Sequence, residues 1–157
     1  MEDGGPVLYR QKRVGRDGAE FELLKLRTME VGAEQRGAGF AVDAGDPRIT
    51  RVGGLLRRLS LDELPQLWNV VRGDMSLVGP RPLIAAEDVH VEDWGRTRLD
   101  LRPGMTGLWQ VLGRSDISFE EMVRLDYLYV TTWSLWHDVR LLCGTVPLML
   151  RGGPGSY

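Results

Sequence analysis

Cysteine is nearly absent: Cys143 stands alone among 157 residues. That excludes an intrachain disulfide and any metal site built from several cysteines, and it is compatible with a reducing compartment. Cys143 lies in an apolar run, so a packed thiol is expected there rather than a nucleophile. Histidine is scarce too. His90 and His137 each lack a second histidine or a cysteine at ligand spacing, so surface or core roles are expected for both. No apolar run reaches the ~18 residues needed to span a bilayer. The longest, "LLCGTVPLML" at 141–150, is short and holds Gly144 and Pro147. Residues 1–15 lack the apolar core of a signal peptide. Charge of one sign is missing as well: the formal net charge is −2, and bulk electrostatics therefore do not suggest nucleic acid as a partner. There is no internal repeat and no low-complexity tract.

What is present fits a folded globular chain. With 43% hydrophobic and 27% charged residues, its composition and length suffice for one domain, residues 1–157, with a real core. Twenty glycines are many for this length and imply turns or close backbone approaches.

Along the chain, Val7–Val14 and Phe21–Leu26 read as the arms of a β-hairpin turned at Asp17-Gly18. Residues 30–45, rich in Gly and Ala and without pattern, read as a mobile loop. "DPRITRVGGLLRRL" carries apolar residues at 49, 52, 55, 56 and 59, a helical spacing weakened by Gly53-Gly54. "SLDELPQLWNVVRG" predicts a second helix, ended by Gly73. "DMSLVGPRPL" is a loop or short extended piece because prolines flank Arg81. A polar helix is predicted near 83–92, and "LRPGMTGLWQV" is turn-rich and then a short strand. "SFEEMVRLDYLYV" is a capped helix, and "SLWHDVRLLCGTVPLML" another, capped by Ser134. The fold class is α+β: an N-terminal hairpin, short helices around the site, and amphipathic helices toward the C-terminus.

The stretch "RRLSLDELPQLWNV" at 57–70 admits two readings. In the first, Ser60 and Glu63 form a capping box and Asp62 simply suits the first turn of a helix. In the second, Asp62 and Glu63 lie in an anion site. Arg48, Arg51, Arg57 and Arg58 precede them, and Arg72 and Arg81 follow. A helix start among arginines suits phosphate. A solvated face accounts well for Arg57 and Arg58. It accounts poorly for Arg81, whose flanking prolines make a stiff clamp. In such surroundings Asp62 should stay ionised, as a nucleophile must. Neighbouring helical carboxylates diverge by about 100° and cannot flank a sugar ring as a glycosidase pair does.

The chain resembles the bacterial sugar transferase family, the monotopic polyprenyl-phosphate phosphoglycosyl transferases. The resemblance runs from "GGPVLYRQKRVGRDGAEFELLKLRTM" through "DPRITRVGGLLRRLSLDELPQLWNVVRGDMSLVGPRPL" to "LRPGMTGLWQVLGRSD" and "FEEMVRLDYLYVTTWSLWHDVRLL". The tail "GGPGSY" resembles the terminus of the hexose-1-phosphate branch. The resemblance implies transfer of a sugar-1-phosphate from a nucleoside diphosphate sugar to a membrane polyprenyl phosphate, in glycoconjugate or exopolysaccharide synthesis. It makes Asp62 and Glu63 the catalytic dyad, with Asp62 the nucleophile on the sugar-linked phosphorus. It also implies Mg²⁺ held close to Asp62. Arg81 in "GPRP" resembles a phosphate-binding arginine, and Lys25, Arg27, Arg48 and Arg102 are further cationic candidates. The family carries a re-entrant membrane helix ahead of "GPVLYRQ", which these 157 residues do not contain. The implied location is the cytoplasmic face of the bacterial inner membrane, peripheral in this form, with association between copies of the chain also open. Trp133 and Trp136 beside Tyr127 and Tyr129 suit either a core or a membrane interface. Two rival functions remain: a catalytically silent module that binds nucleotide sugar, and a phosphohydrolase in which water resolves the aspartyl intermediate.

Overall fold

The computed structural model describes residues 4–33, 46–112 and 117–150. The loop expected at 30–45 lies mostly outside them. The hairpin forms where the sequence places it: β1, Leu8–Val14, pairs antiparallel with β2, Glu20–Leu26, in the register Leu8↔Leu26 to Val14↔Glu20. Its turn needs two residues with positive φ, and Asp17 (56°) and Gly18 (78°) supply them. The hairpin is anchored at one end by Val14, whose N–H donates to the Leu83 carbonyl at 2.8 Å. It is anchored along β2 by a side chain. Asn69, fully buried, donates to the Glu22 carbonyl (2.7 Å) and accepts from the Leu24 N–H (3.1 Å). Asn69 thus satisfies polar groups on the free edge of β2, which would otherwise be left unpaired.

Helix α1, Arg51–Arg58, starts on Thr50, whose hydroxyl accepts from the Gly53 N–H at 2.9 Å. Gly53 is required by packing rather than by flexibility: a Cβ there would overlap the Thr28 carbonyl. The apolar residues of α1 do not turn wholly inward, since Val52 and Leu55 are exposed.

The single helix expected from Ser60 to Arg72 is broken in two. A 3-10 turn spans Leu61–Glu63, and α2 runs from Gln66 to Arg72, closed by Gly73 at φ 85°. The predicted capping box is absent. Ser60 sits in the left-handed region at φ 53°, and its side chain makes no capping hydrogen bond. A residue in that conformation cannot take the extended backbone of an N-cap. Pro65, which lacks an N–H, stands at the start of α2 instead.

Strand β3, Ser76–Val78, pairs in parallel with β4, Gly104–Thr106. The strand expected within "LRPGMTGLWQV" is therefore found at its centre, and the following residues form a helix, α4, Leu108–Leu112. The two segments approach closely: a Cβ on Gly104 would overlap the backbone at Gly79, just past β3, so glycine is required at the start of β4. The polar helix expected over 83–92 shortens to one turn, α3, Ala85–Asp88. A 3-10 segment, Asp93–Asp100, leads on to β4. Helix α5, Phe119–Thr131, has the expected start, with a reciprocal capping box between Ser118 and Glu121. Helix α6, Leu135–Leu150, begins with the Ser134 hydroxyl accepting from the His137 N–H.

Two apolar clusters hold these elements together. One gathers Val78, Leu108, Tyr129 and Leu141; the other gathers Leu83, Val91, Met122 and Val123. Helix α5 contributes to both, so it is the spine of the fold. The α+β class expected from the sequence is the class observed. Cys143, expected to be packed, is exposed on α6, because α6 buries the opposite side through Leu141. Tyr129 belongs to the core, whereas Trp133 and Trp136 are exposed.

Candidate functional site

The dyad sits in the 3-10 turn, where successive residues are separated by about 120°. Asp62 and Glu63 therefore point in different directions. Asp62 turns inward and keeps only 3% of its surface exposed. Its Oδ1 is buried and has no hydrogen-bond partner. Glu63 turns toward β2, where its Oε1 accepts from Lys25 Nζ at 3.0 Å, with both side chains largely buried. Arg57 comes from the last turn of α1 and donates through Nε to Thr28 Oγ1 at 2.8 Å.

These neighbours set the electrostatics of Asp62. Burial, the largest effect, pushes its carboxyl above the ordinary aspartate range; Lys25 pulls it down, Glu63 pushes it up, and Arg57 pulls it down. The cations expected around Asp62 are present, but burial outweighs their pull on its carboxyl.

Arg81 follows β3, between Pro80 and Pro82, and is buried. Its N–H donates to both carboxylate oxygens of Asp126, at 3.3 and 3.2 Å. Its carbonyl accepts from Arg98. Its guanidinium lies 4.6 Å from the centroid of Trp109, a cation–π arrangement. Burial lowers the Arg81 pKa, while Glu87, Asp126 and Glu63 raise it. Arginine stays charged under such shifts. Arg81 is thus within electrostatic reach of Glu63, and the structure brings Lys25, Arg57, Asp62, Glu63 and Arg81 into one neighbourhood.

The remaining cationic candidates are engaged mainly with groups outside the dyad. Arg27 is buried and donates to the carbonyls of Pro6 (2.7 Å) and Met29 (3.2 Å), pinning the start of the hairpin. Arg48 grips Asp46, with Nε 2.9 Å from Oδ1, and donates to the Ala33 carbonyl at 2.8 Å. The Arg48 guanidinium holds Asp46 down to about 2. Arg102 is exposed, with its guanidinium beside Gly73.

Some residues of the site were not legible in sequence. Of the two readings open for Arg57 and Arg58, the solvated face holds for Arg58 alone: consecutive helical residues diverge by about 100°, and only Arg58 is exposed. The Arg98–Asp126 pair spans 28 positions, so no local motif reveals it. One signal was available: Met122, Asp126 and Tyr129 share the buried stripe of α5, where a lone carboxylate demands a partner.

A divalent cation can be tested against these residues. Among the described residues no group of three or more His, Cys, Asp or Glu side chains is gathered to hold a metal ion. Magnesium needs fewer, since it binds through one or two carboxylates together with substrate phosphates and water. The buried, unpartnered Oδ1 of Asp62 is a donor of that kind. The residues fit a cation whose coordination is completed by a phosphate-bearing substrate.

The comparisons with known proteins agree over nearly the whole chain. The family model described as bacterial sugar transferase matches residues 1–152. A UDP-galactose-lipid carrier transferase of Erwinia amylovora is 47% identical, aligned over 99% of this chain and 35% of its own length. An undecaprenyl-phosphate galactose phosphotransferase of Salmonella typhimurium is 44% identical, over 99% of this chain and 35% of its own length. A UDP-glucose:undecaprenyl-phosphate glucose-1-phosphate transferase of Caulobacter vibrioides is 46% identical, over 96% and 59%. The chain thus spans about a third of the length of the first two of these relatives.

Proposed function

Because the chain belongs to the bacterial sugar transferase family, we propose that it forms the catalytic part of an enzyme that moves a sugar-1-phosphate from a nucleoside diphosphate sugar to a polyprenyl phosphate. The observation that carries this reading is Asp62: a buried carboxylate with an unpartnered oxygen, within electrostatic reach of Lys25 and Arg57 and next to Glu63, which Arg81 also reaches.

The chemistry follows in two displacements. An oxygen of Asp62 attacks the phosphorus that bears the sugar; the bond from that phosphorus to the nucleoside monophosphate breaks, and the monophosphate leaves with its electron pair. An oxygen of the polyprenyl phosphate then attacks the same phosphorus, and Asp62 leaves as free carboxylate. The order matters for charge. A buried carboxylate approaching a diphosphate meets repulsion, and Lys25, Arg57 and Arg81 offset it. Lys25 holds Glu63 aside, leaving Asp62 the less engaged oxygen of the dyad. Asp62 is the residue to hold Mg²⁺, which when bound would neutralise diphosphate charge and favour the ionised carboxylate.

The acceptor carries a lipid, and no helix among the described residues is long and apolar enough to cross a membrane. Exposed apolar side chains offer a surface instead: Leu64, Leu67, Trp68 and Val71 beside the dyad, and Trp133 and Trp136 at the start of α6. This suits a protein that lies on the cytoplasmic leaflet.

The test is acceptor dependence. With UDP-glucose or UDP-galactose, Mg²⁺ and undecaprenyl phosphate, the full-length protein should yield nucleoside monophosphate and lipid-linked phosphosugar in equal amounts. Release of free sugar phosphate without acceptor would point to hydrolysis instead, and binding without turnover to a silent module.

A further inference from the structure

The phosphate-clamp reading of Arg81 raises a question of aim. Prolines at 80 and 82 stiffen the chain on both sides of Arg81, but no ladder of secondary structure holds its own peptide groups. They are held by a buried ion pair from distant parts of the chain. Asp126 of α5 accepts from the Arg81 N–H. Arg98, from the 3-10 segment, donates to the Arg81 carbonyl and, through Nη2, to Asp126 Oδ2 at 3.1 Å. The side chains of Arg98 and Asp126 are 2% and 1% exposed. Asp88 stands behind Arg98, 3.6 Å away.

We propose that Asp126 and Arg98 are positioning residues for the transfer reaction: together they grip the Arg81 backbone on both sides and so fix where its guanidinium meets the substrate phosphate. This rests on the reading of Arg81 given above. The pair is a poor candidate for a stabilising feature alone. Removing two charges from water costs several kcal/mol per ion, and well-packed apolar residues often serve as well. Burial, the largest effect on Asp126, raises its pKa to about 6 despite Arg98. An apolar pair could fill the same space, but it could not receive an N–H and supply a donor to a carbonyl on one peptide segment. The geometry of the pair matches that task. Trp109 of α4 completes the arrangement by supporting the guanidinium from one face.

The test is a double-mutant cycle with Arg81→Ala. Arg98→Lys keeps the charge but loses the fork that reaches both Arg81 and Asp126. In the full-length protein, with UDP-glucose as donor, Arg98→Lys should lower kcat/KM by roughly ten- to a hundred-fold, the scale of a misplaced catalytic geometry. In the Arg81→Ala background the same change should cost almost nothing, since no guanidinium is left to aim. Equal losses in both backgrounds, or no loss in either, would overturn the proposal, because a merely structural role does not depend on Arg81. If Arg98→Lys does not fold, Asp126→Asn goes through the same cycle. It keeps an acceptor for the Arg81 N–H and should show a smaller loss with the same dependence on Arg81. If wild type transfers no sugar phosphate, the functional reading fails separately; the cycle is then read as Kd for UDP-glucose by calorimetry, with the same criterion.

Discussion

At the scale of single residues, the account turns on separating chemistry from helix starting. Ser60 and Glu63 have the sequence of a capping box, yet Ser60 is left-handed and caps nothing. Ser60→Ala should therefore leave stability nearly unchanged, against the ~1 kcal/mol that a true cap deletion costs. Glu63→Gln removes the charge that holds Lys25 while keeping the shape of the side chain. It should lower transfer activity by at least tenfold with little change in Tm, the scale of a lost charge-assisted hydrogen bond. Activity and melting measured on both variants check this. The dyad, Lys25 and Arg81 could be named from sequence because their motifs are local or follow from the family resemblance. Arg27 and Arg48 carry the same charge and bond to backbone carbonyls and to Asp46, pairings that sequence alone does not show.

At the scale of elements, two adjacent glycines in α1 behave oppositely. A Cβ at Gly53 overlaps Thr28, while at Gly54 it meets only a methyl of Ile49 at 4.0 Å. Gly53→Ala should destabilise by about 1–3 kcal/mol through overpacking. Gly54→Ala should stabilise by up to about 1 kcal/mol through helix propensity. Urea midpoints of the two variants should move in opposite directions. Sequence showed both glycines only as helix weakeners, because the contact with Thr28 joins residues 25 positions apart. Helix α5 is the converse case, fully legible because its start is written locally. The Ser118 N–H and hydroxyl hold the Glu121 carboxyl below its ordinary value, the N–H having the larger effect. A carboxyl lowered on folding contributes stability above its unfolded value of 4.5, and that contribution is lost as pH falls below it. Ser118→Ala should remove about 1 kcal/mol at pH 7. Glu121→Gln should flatten the acid limb of the stability curve, as denaturation across pH 3–6 would show.

At the scale of the whole molecule, the fold places a charged, buried site beside exposed apolar side chains. That combination suits a water-soluble donor and a lipid acceptor meeting at a bilayer surface. Leu64, Leu67, Trp68 and Val71 extend from the chain segment that holds the dyad. Co-sedimentation with vesicles containing anionic lipid should retain the full-length protein, and Trp68→Asp with Val71→Asp should weaken that retention severalfold. Unchanged retention would place the contact elsewhere. The hairpin and the last two helices could be read from periodicity and caps, but this outward apolar face could not. The spacing of apolar residues in α2 is the same whether the face meets a core or a membrane.

The central claim is that Asp62 takes the phosphosugar covalently, and intact-protein mass spectrometry tests it directly. The full-length protein is incubated with UDP-glucose and Mg²⁺ but no polyprenyl phosphate, then quenched in acid. The account predicts a mass increase of one hexose phosphate, mapped to the peptide bearing Asp62, absent in Asp62→Asn, and discharged when undecaprenyl phosphate is added before the quench. Full transfer activity in Asp62→Asn, or an adduct on any other residue that the acceptor discharges, would contradict it.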